Sequence, residues 1–312
     1  MYEIKTFEHS DIETLRNSDI VKKFFSYLDV TPITAKAYSI GIRQFMKYIT
    51  ERGIKSPVRE DVIEYKKELQ ASGKKPSTVA LYLSALRRFF SWCEAEGIYN
   101  NITSGVKSPK QERGHKRDYF SGQQIGEILK GMPRVTVEDK RNYAMFLLMS
   151  VCGLRTIEVV RADICDIRTV AGTITFYIQG KGRADKKEFV KLSEPVIAAI
   201  NDYLSARGQC KETEPLFVSC SKRNRNQRIT TRTVSNVAKA AMKEAGYDST
   251  RLTAHSLRHS AATLALQAGM PLAEVSQFLR HSSIGVTMVY AHHVERMKSQ
   301  CENAITNAIF AA

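Results

Sequence analysis

Apolar residues recur at helical spacing along the first hundred positions. Val21, Phe24, Phe25 and Leu28 predict a short helix that Ser18 can cap. Ala35, Tyr38, Ile42, Phe45, Met46 and Ile49 predict a longer one, opened by Pro32 and closed by Gly53. Val62, Tyr65 and Leu69 mark a third, over residues 59–71, and Val79, Leu83, Leu86 and Phe90 a fourth, from near Ser77 to Gly97. Four helices with short connections make a small bundle. Over residues 98–118 the periodicity lapses and Asn, Ser, Gly, Pro and charge take over, the composition of a linker.

Regular patterning returns at Tyr119. Ser121 and Asp139 suit the N-caps of helices over 122–131 and 140–152, and the segment after Gly153, LRTIEVVRA, reads as further helix. The period then changes to two: Ile174, Phe176 and Ile178 alternate with Thr175, Tyr177 and Gln179, the mark of a half-buried strand. ICDIR before it and KEFVKL after it read as its neighbours, with Gly180-Lys181-Gly182-Arg183 at a turn. Helices resume at 194–206, at 231–245 and through the C-terminal third. The expected fold is mainly α with a small three-stranded antiparallel sheet. Its expected divisions are an arm (1–17), a helical bundle (18–103), a linker (104–118), a mixed α/β domain (119–296) and a tail helix (297–312).

Composition narrows the partner. The 312-residue chain suits two domains, and its formal net charge of +15 favours a polyanion. Both parts are basic, with an excess of five positive charges over residues 1–113 and ten over the remainder, so no isolated tail carries the charge. No apolar run is long enough to span a bilayer, and no signal peptide or lipidation motif is visible, so a cytoplasmic protein without a membrane partner is expected. Six cysteines without a CxxC pair read as free thiols in a reducing compartment.

Candidate chemistry concentrates in TAHSLRHSAATLALQAGMPLAEVSQFLRHSSIGVTMVYAHH, residues 253–293, which holds five of the seven histidines. His255 and His259 have a zinc-binding spacing, but no general-base glutamate accompanies them and Arg258 between them repels a cation. No metal and no cofactor are expected; phosphate suits Arg258 better. Arg155 and Glu158, three apart, suit either a surface ion pair or an arginine braced to grip a phosphate oxygen. Tyr290 follows His281 by nine residues. A tyrosine, with an ordinary pKa of about 10, needs a proton acceptor and cationic surroundings to act as a nucleophile. Two arginines (Arg155, Arg258), two histidines (His255, His281), the loop lysine Lys181 and Tyr290, without a cluster of metal-binding carboxylates, describe metal-free phosphoryl transfer. A different reading comes from residues 263–283, whose pattern resembles a helix-turn-helix and suits a non-catalytic DNA-binding regulator.

Together these motifs resemble the tyrosine recombinases, the family of phage and conjugative-transposon integrases and of the bacterial enzymes that resolve chromosome dimers. GLRTIEV carries the family's first arginine, Arg155, with Glu158 at the acidic position behind the active site. Lys181 falls at the β-hairpin lysine, HSLRH supplies His255 and Arg258, and FLRHSSIGVTMVYAHH supplies His281 and the nucleophile Tyr290. One departure is visible: Arg280 stands where the family commonly has glycine. Only seventeen residues precede the first helix, too few for the extra arm-binding domain of some members.

The resemblance implies a two-domain clamp around double-stranded DNA target sites. It also implies cleavage through a 3′-phosphotyrosyl intermediate and a Holliday junction, with Lys181 or His281 protonating the leaving 5′-oxygen. It further implies a homo-tetramer on synapsed DNA, to which the tail stripe of Ala304, Ile305, Ala308, Ile309 and Phe310 could contribute by docking on a neighbour. A type IB topoisomerase-like activity would use the same tyrosine chemistry without synapsis. Candidate DNA contacts on the bundle are Lys36, Arg43, Lys47, Arg87 and Arg88. In the second domain they are Lys222, Arg223, Arg225 and Arg228 in a basic loop, with Arg232 and Asn236 on the following helix, which by position resembles the family's major-groove helix.

Overall fold

Helix α1 covers Ser18–Tyr27, so the residue expected to cap it is its first helical residue. Helix α2, Pro32–Glu51, is capped by the Thr31 hydroxyl, which accepts from the Thr34 N–H at 3.4 Å, and Pro32 fills its first turn, where the missing N–H costs nothing. Helices α3 (Arg59–Ala71) and α4 (Pro76–Ala95) complete the bundle. Helices α2 and α4 cross closely because Gly41 has no side chain: a Cβ there would meet the Ala85 Cβ at 3.1 Å and the Tyr82 Cα at 3.2 Å. Phe24, Phe45, Phe89 and Phe90 are fully buried between the helices. Their rings meet edge to face, with centroids 5.2 Å apart for Phe24–Phe89 and 6.0 Å for Phe45–Phe90. The bundle's packing carries past residue 103. Ile102 and Val106 are buried in its core, and Arg59 and Arg87 donate to the carbonyls of Ser104 (3.0 Å) and Val106 (2.8 Å).

The computed structural model describes residues 18–110, 118–180, 185–281 and 283–310, and the chain divides into two units, residues 1–113 and 114–312. The second unit begins with three contacts. Asp118 accepts from Arg251 Nε at 2.9 Å, the Phe120 N–H donates to Ser260 Oγ at 2.7 Å, and the Phe120 ring meets Tyr247 edge-on at 5.5 Å. Ser121 caps α5 (Gly122–Gly131) as expected, accepting from Gln124 N–H at 3.2 Å. The cap of α6 (Val137–Cys152) is Thr136 rather than Asp139. Asp139 is the third helical residue of a reciprocal capping box, accepting from the Thr136 N–H at 2.9 Å while its own N–H donates to the threonine hydroxyl at 3.1 Å.

Nor does the helix run on through LRTIEVVRA. Gly153 adopts φ +58° and ends α6, and α7 is a separate five-residue helix, Thr156–Val160. A 3₁₀ turn, Ile164–Asp166, leads into the antiparallel sheet β1-β2-β3: Ile167–Val170, Thr173–Ile178 and Glu188–Lys191. Phe176 pairs with Ile167 on one side and Val190 on the other and turns inward to the core. Helices α8 (Glu194–Arg207), α9 (Thr231–Glu244), α10 (Ala254–Gln267), α11 (Leu272–Phe278), α12 (Ile284–Lys298) and α13 (Cys301–Phe310) follow. The fold is thus mainly helical with one small three-stranded antiparallel sheet. No helix among the described residues is long and apolar enough to cross a membrane.

Candidate active site

The left-handed Gly153 redirects the chain so that Arg155 stands at the mouth of α7. Glu158, in the first turn of α7 and fully buried, accepts from the Arg155 backbone N–H at 2.8 Å through Oε2 and from Arg155 Nη1 at 2.7 Å through Oε1. Backbone and side chain of Arg155 are therefore held by one carboxylate, a charge-assisted pairing that leaves the guanidinium little freedom. Arg258 lies on α10 and is also buried. Its Nη1 donates to the Gly153 carbonyl at 2.7 Å and its Nη2 to the Leu279 carbonyl, so one side chain ties the end of α6 to the end of α11.

After α11 the chain turns through Arg280, whose φ is +54°. Its side chain points inward and donates to Glu158 Oε2 at 2.9 Å and to the Phe278 carbonyl at 2.6 Å. The Arg280 carbonyl in turn accepts from Arg155 Nη2 at 3.4 Å. His281 follows directly, its Nδ1 2.8 Å from the hydroxyl of Thr287. Ser283 caps α12 by accepting from Gly285 N–H at 3.3 Å, and that helix presents Thr287 and Tyr290, three apart, on one face. Tyr290 is buried, with its ring parallel to that of His281 (9°, centroids 6.3 Å apart) and edge-on to His259 (5.0 Å), which meets His255 edge-on at 4.8 Å. Arg155, His255, Arg258, His281 and Tyr290 thus come together from the cap of α7, from α10 and α12, and from one turn. Lys181 lies outside the described residues.

The local electrostatics follow from three arginines around one glutamate. Burial pushes the Arg258 guanidinium down to about 9, with Arg155 and Arg280 pushing the same way, yet it stays a cation near neutral pH. Burial, then the charges of Arg258, Arg155 and Arg280, drive His281 down to about 4, so its imidazole is neutral. For Glu158, burial works to raise the carboxyl, but Arg280 and Arg155 outweigh it and hold the group below the usual range, as an anion. The cluster keeps an excess of positive charge suited to a phosphodiester.

Beside it runs a groove of about 730 Å³ lined by Arg155, Thr156 and His255 on one side and by Ser235, Asn236 and Lys239 of α9 on the other. Arg232 and Asn236, one turn apart, are exposed on that helix, and Lys222, Arg223 and Arg225 are exposed in the loop before it. Arg228 is engaged within the unit, donating to the carbonyls of Val160 (2.9 Å) and Ala162 (3.1 Å) and to Asp163. In the bundle Lys36, Arg43, Lys47 and Arg88 are exposed, while Arg87 braces the segment at Val106 and Ser108. Sequence reasoning passed over Thr287, whose signal was its place three residues before Tyr290 on the same helical face. It also gave no role to the ring of His259, and it expected of Arg280 an altered turn or a phosphate contact, where the side chain turns inward to Glu158.

Residues 118–297 match the phage integrase family, and residues 21–97 match the N-terminal SAM-like domain of phage integrases. A tyrosine recombinase XerC from Caldanaerobacter subterraneus subsp. tengcongensis is 29% identical over 320 aligned residues, covering 93% of this chain and 87% of that protein. Among solved structures, a XerH site-specific recombinase bound to palindromic difH substrate in a post-cleavage complex superposes with a TM-score of 0.73. It is 20% identical and covers 93% of this chain and 87% of that one. A lambda integrase tetramer bound to a Holliday junction superposes with a TM-score of 0.67 at 16% identity, over 90% of this chain and 77% of that one.

Proposed function

The chain belongs to the phage integrase family of tyrosine recombinases, and we propose that it is a site-specific DNA recombinase that cuts and rejoins strands through a 3′-phosphotyrosyl intermediate and a Holliday junction. One observation carries this reading: the Tyr290 ring stacks parallel to that of His281, on the turn whose carbonyls are held by Arg155 and Arg258. A regulator that only binds DNA has no use for a buried tyrosine among arginines.

In the proposed reaction the Tyr290 hydroxyl attacks phosphorus in line. The Oη–P bond forms, the P–O5′ bond breaks, and the phenolic proton passes to an imidazole of the site. Arg155 and Arg258 offset the charge on the non-bridging oxygens, an effect that is strong because the site is buried. His281, neutral and tethered through Nδ1 to Thr287, suits hydrogen bonding to a phosphate oxygen better than proton donation, which leaves the leaving 5′-oxygen to Lys181. Because the phosphotyrosyl bond stores the energy of the broken linkage, a second 5′-hydroxyl reseals the strand without a cofactor.

The bundle is assigned one side of the DNA duplex, through Lys36, Arg43, Lys47 and Arg88, and the second unit the other, through the basic loop and α9, as in the clamp that the family resemblance implies. Arg232 and Asn236 are assigned to bases, the loop cations to phosphates. A tetramer on synapsed sites is supported by the DNA-bound recombinase structures this chain resembles. Helix α13 is proposed to join its protomers: it is exposed along its length, with Ile305, Ile309 and Phe310 outward. An apolar pocket of about 440 Å³ among α5, α6, α10 and α11, lined by Ile125, Leu264, Met270 and Phe278, suits a neighbour's α13. Removal of residues 300–312 is expected to abolish assembly on DNA. A cytoplasmic location follows from this substrate.

The test is a nicked suicide substrate carrying the target site, with covalent complexes sought on a denaturing gel. Wild type is expected to form an adduct and Tyr290→Phe none. A wild-type protein that binds the duplex without forming an adduct would sink the enzyme reading in favour of a regulator.

A further inference from the structure

Arg280 occupies a left-handed turn, φ +54°, where a glycine sits freely and a residue with a Cβ is disfavoured. Its side chain does not escape to solvent: only 3% is exposed, against a carboxylate that is itself fully buried. A buried cation on a disfavoured backbone is a costly way to fill space, so its bonds must account for it. They are specific. Glu158 Oε1 accepts from Arg155 Nη1, while Glu158 Oε2 is shared between the Arg155 backbone N–H and Arg280 Nη2. The same Arg280 Nη2 reaches the Gly153 carbonyl at 3.4 Å, the oxygen on which Arg258 Nη1 sits at 2.7 Å.

The consequence is one of charge. A lone Glu158 beside Arg155 would braces the guanidinium but also cancel the charge with which it grips phosphate. With Arg280 on the second oxygen, the carboxylate still orients Arg155 while its charge is met from elsewhere. We propose that Arg280 is a positioning residue that offsets Glu158, so that Arg155 is held in place by the carboxylate without being neutralised by it, and that it steadies the Gly153 carbonyl that seats Arg258. The proposal rests on the recombinase reading for its substrate, a scissile phosphodiester.

The experiment compares single-turnover adduct formation on the suicide substrate by wild type, Arg280→Gly, Glu158→Gln and the double variant. Arg280→Gly relieves the backbone and is expected to fold at least as well as wild type, which a thermal melt checks, yet to form the adduct about tenfold more slowly. Adding Glu158→Gln to it removes the charge that Arg280 offsets and is expected to restore most of that loss at an unchanged melting temperature, whereas a merely structural ion pair would show its loss and rescue in the melting temperature. A wild-type rate in Arg280→Gly, or a loss that Glu158→Gln does not repair, overturns the proposal. Failure of the recombinase reading is separately visible as the absence of any wild-type adduct. In that case the same four proteins, titrated with inorganic phosphate and followed by protection against thermal unfolding, decide the matter. Weakened phosphate binding in Arg280→Gly with recovery in the double variant supports the charge argument, and equal binding by all four rejects it.

Discussion

Phe24, Phe45, Phe89 and Phe90 are sealed inside the N-terminal bundle, and among the described residues of that unit no charged side chain is buried. The second unit buries Arg141, Glu158, Asp166 and Arg258. The bundle is an apolar interior with its proposed DNA contacts on the surface. The second unit holds its proposed reacting groups inside, where each buried charge must be matched by a partner. Burial alone does not mark the chemistry, however. Arg141 is as deeply buried as Arg258, but it is consumed by Glu138 (2.9 Å), Asn142 and the Val218 carbonyl (2.9 Å) and braces one end of α6. Arg258 is set apart by its company: two further arginines act on it through space, an arrangement that favours an incoming anion.

This contrast can be broken most sharply at Arg258. Arg258→Ala is expected to slow adduct formation by about a thousandfold or more. It should also cost about 2–4 kcal/mol of stability, because the Leu279 carbonyl loses its Arg258 donor and the Gly153 carbonyl is left with only the long bond from Arg280. An unchanged denaturant midpoint would show that the arginine is not the seat of that corner. In the bundle, Phe89→Ala is expected to cost about 3–5 kcal/mol through the cavity it leaves. Its damage should appear as a lower melting temperature and weaker DNA binding, with the cleavage rate at saturating protein unchanged.

The pH response separates the units next. His281 is held down to about 4 in the folded protein, against about 6.5 for an exposed histidine, so the unfolded chain binds the extra proton between those values. Stability therefore falls as pH drops from about 6.5 towards 4, and His281→Gln should flatten that slope. No histidine lies among the described residues of the first unit. The smallest effect is expected at Arg43. Its replacement by alanine should leave stability unchanged and lower the salt-dependence slope of DNA binding by about 0.9, the contribution of one phosphate contact.

How much of this was legible in the sequence differs along the same lines. The bundle's helices were readable because their apolar residues repeat at the period that burial imposes, and the sheet because its period is two. Boundaries failed where a local signal competed: T-x-x-D in front of α6 offered two caps, and Gly153 stopped a helix that its neighbours' propensities would have continued. The members of the site were legible as residue types. Their bonds were not, since Arg258 meets Gly153 across 105 positions and Arg280 meets Glu158 across 122. No local pattern encodes such contacts. Arg280 stood out as a departure from glycine, but only its left-handed backbone and inward side chain give the departure a meaning.

The contacts at the start of the second unit bear on how such chains could exchange parts. Asp118 fastens the incoming segment to Arg251, just ahead of α10, and the Phe120 N–H fastens it to Ser260 on α10 itself, the helix that carries His255 and Arg258. A chimera joined ahead of Asp118 keeps both fastenings with their native partners, whereas one joined beyond Phe120 brings a foreign segment against the helix that bears Arg258. New DNA-binding bundles are therefore expected to be transplanted onto this catalytic unit by a seam that ends at Asp118.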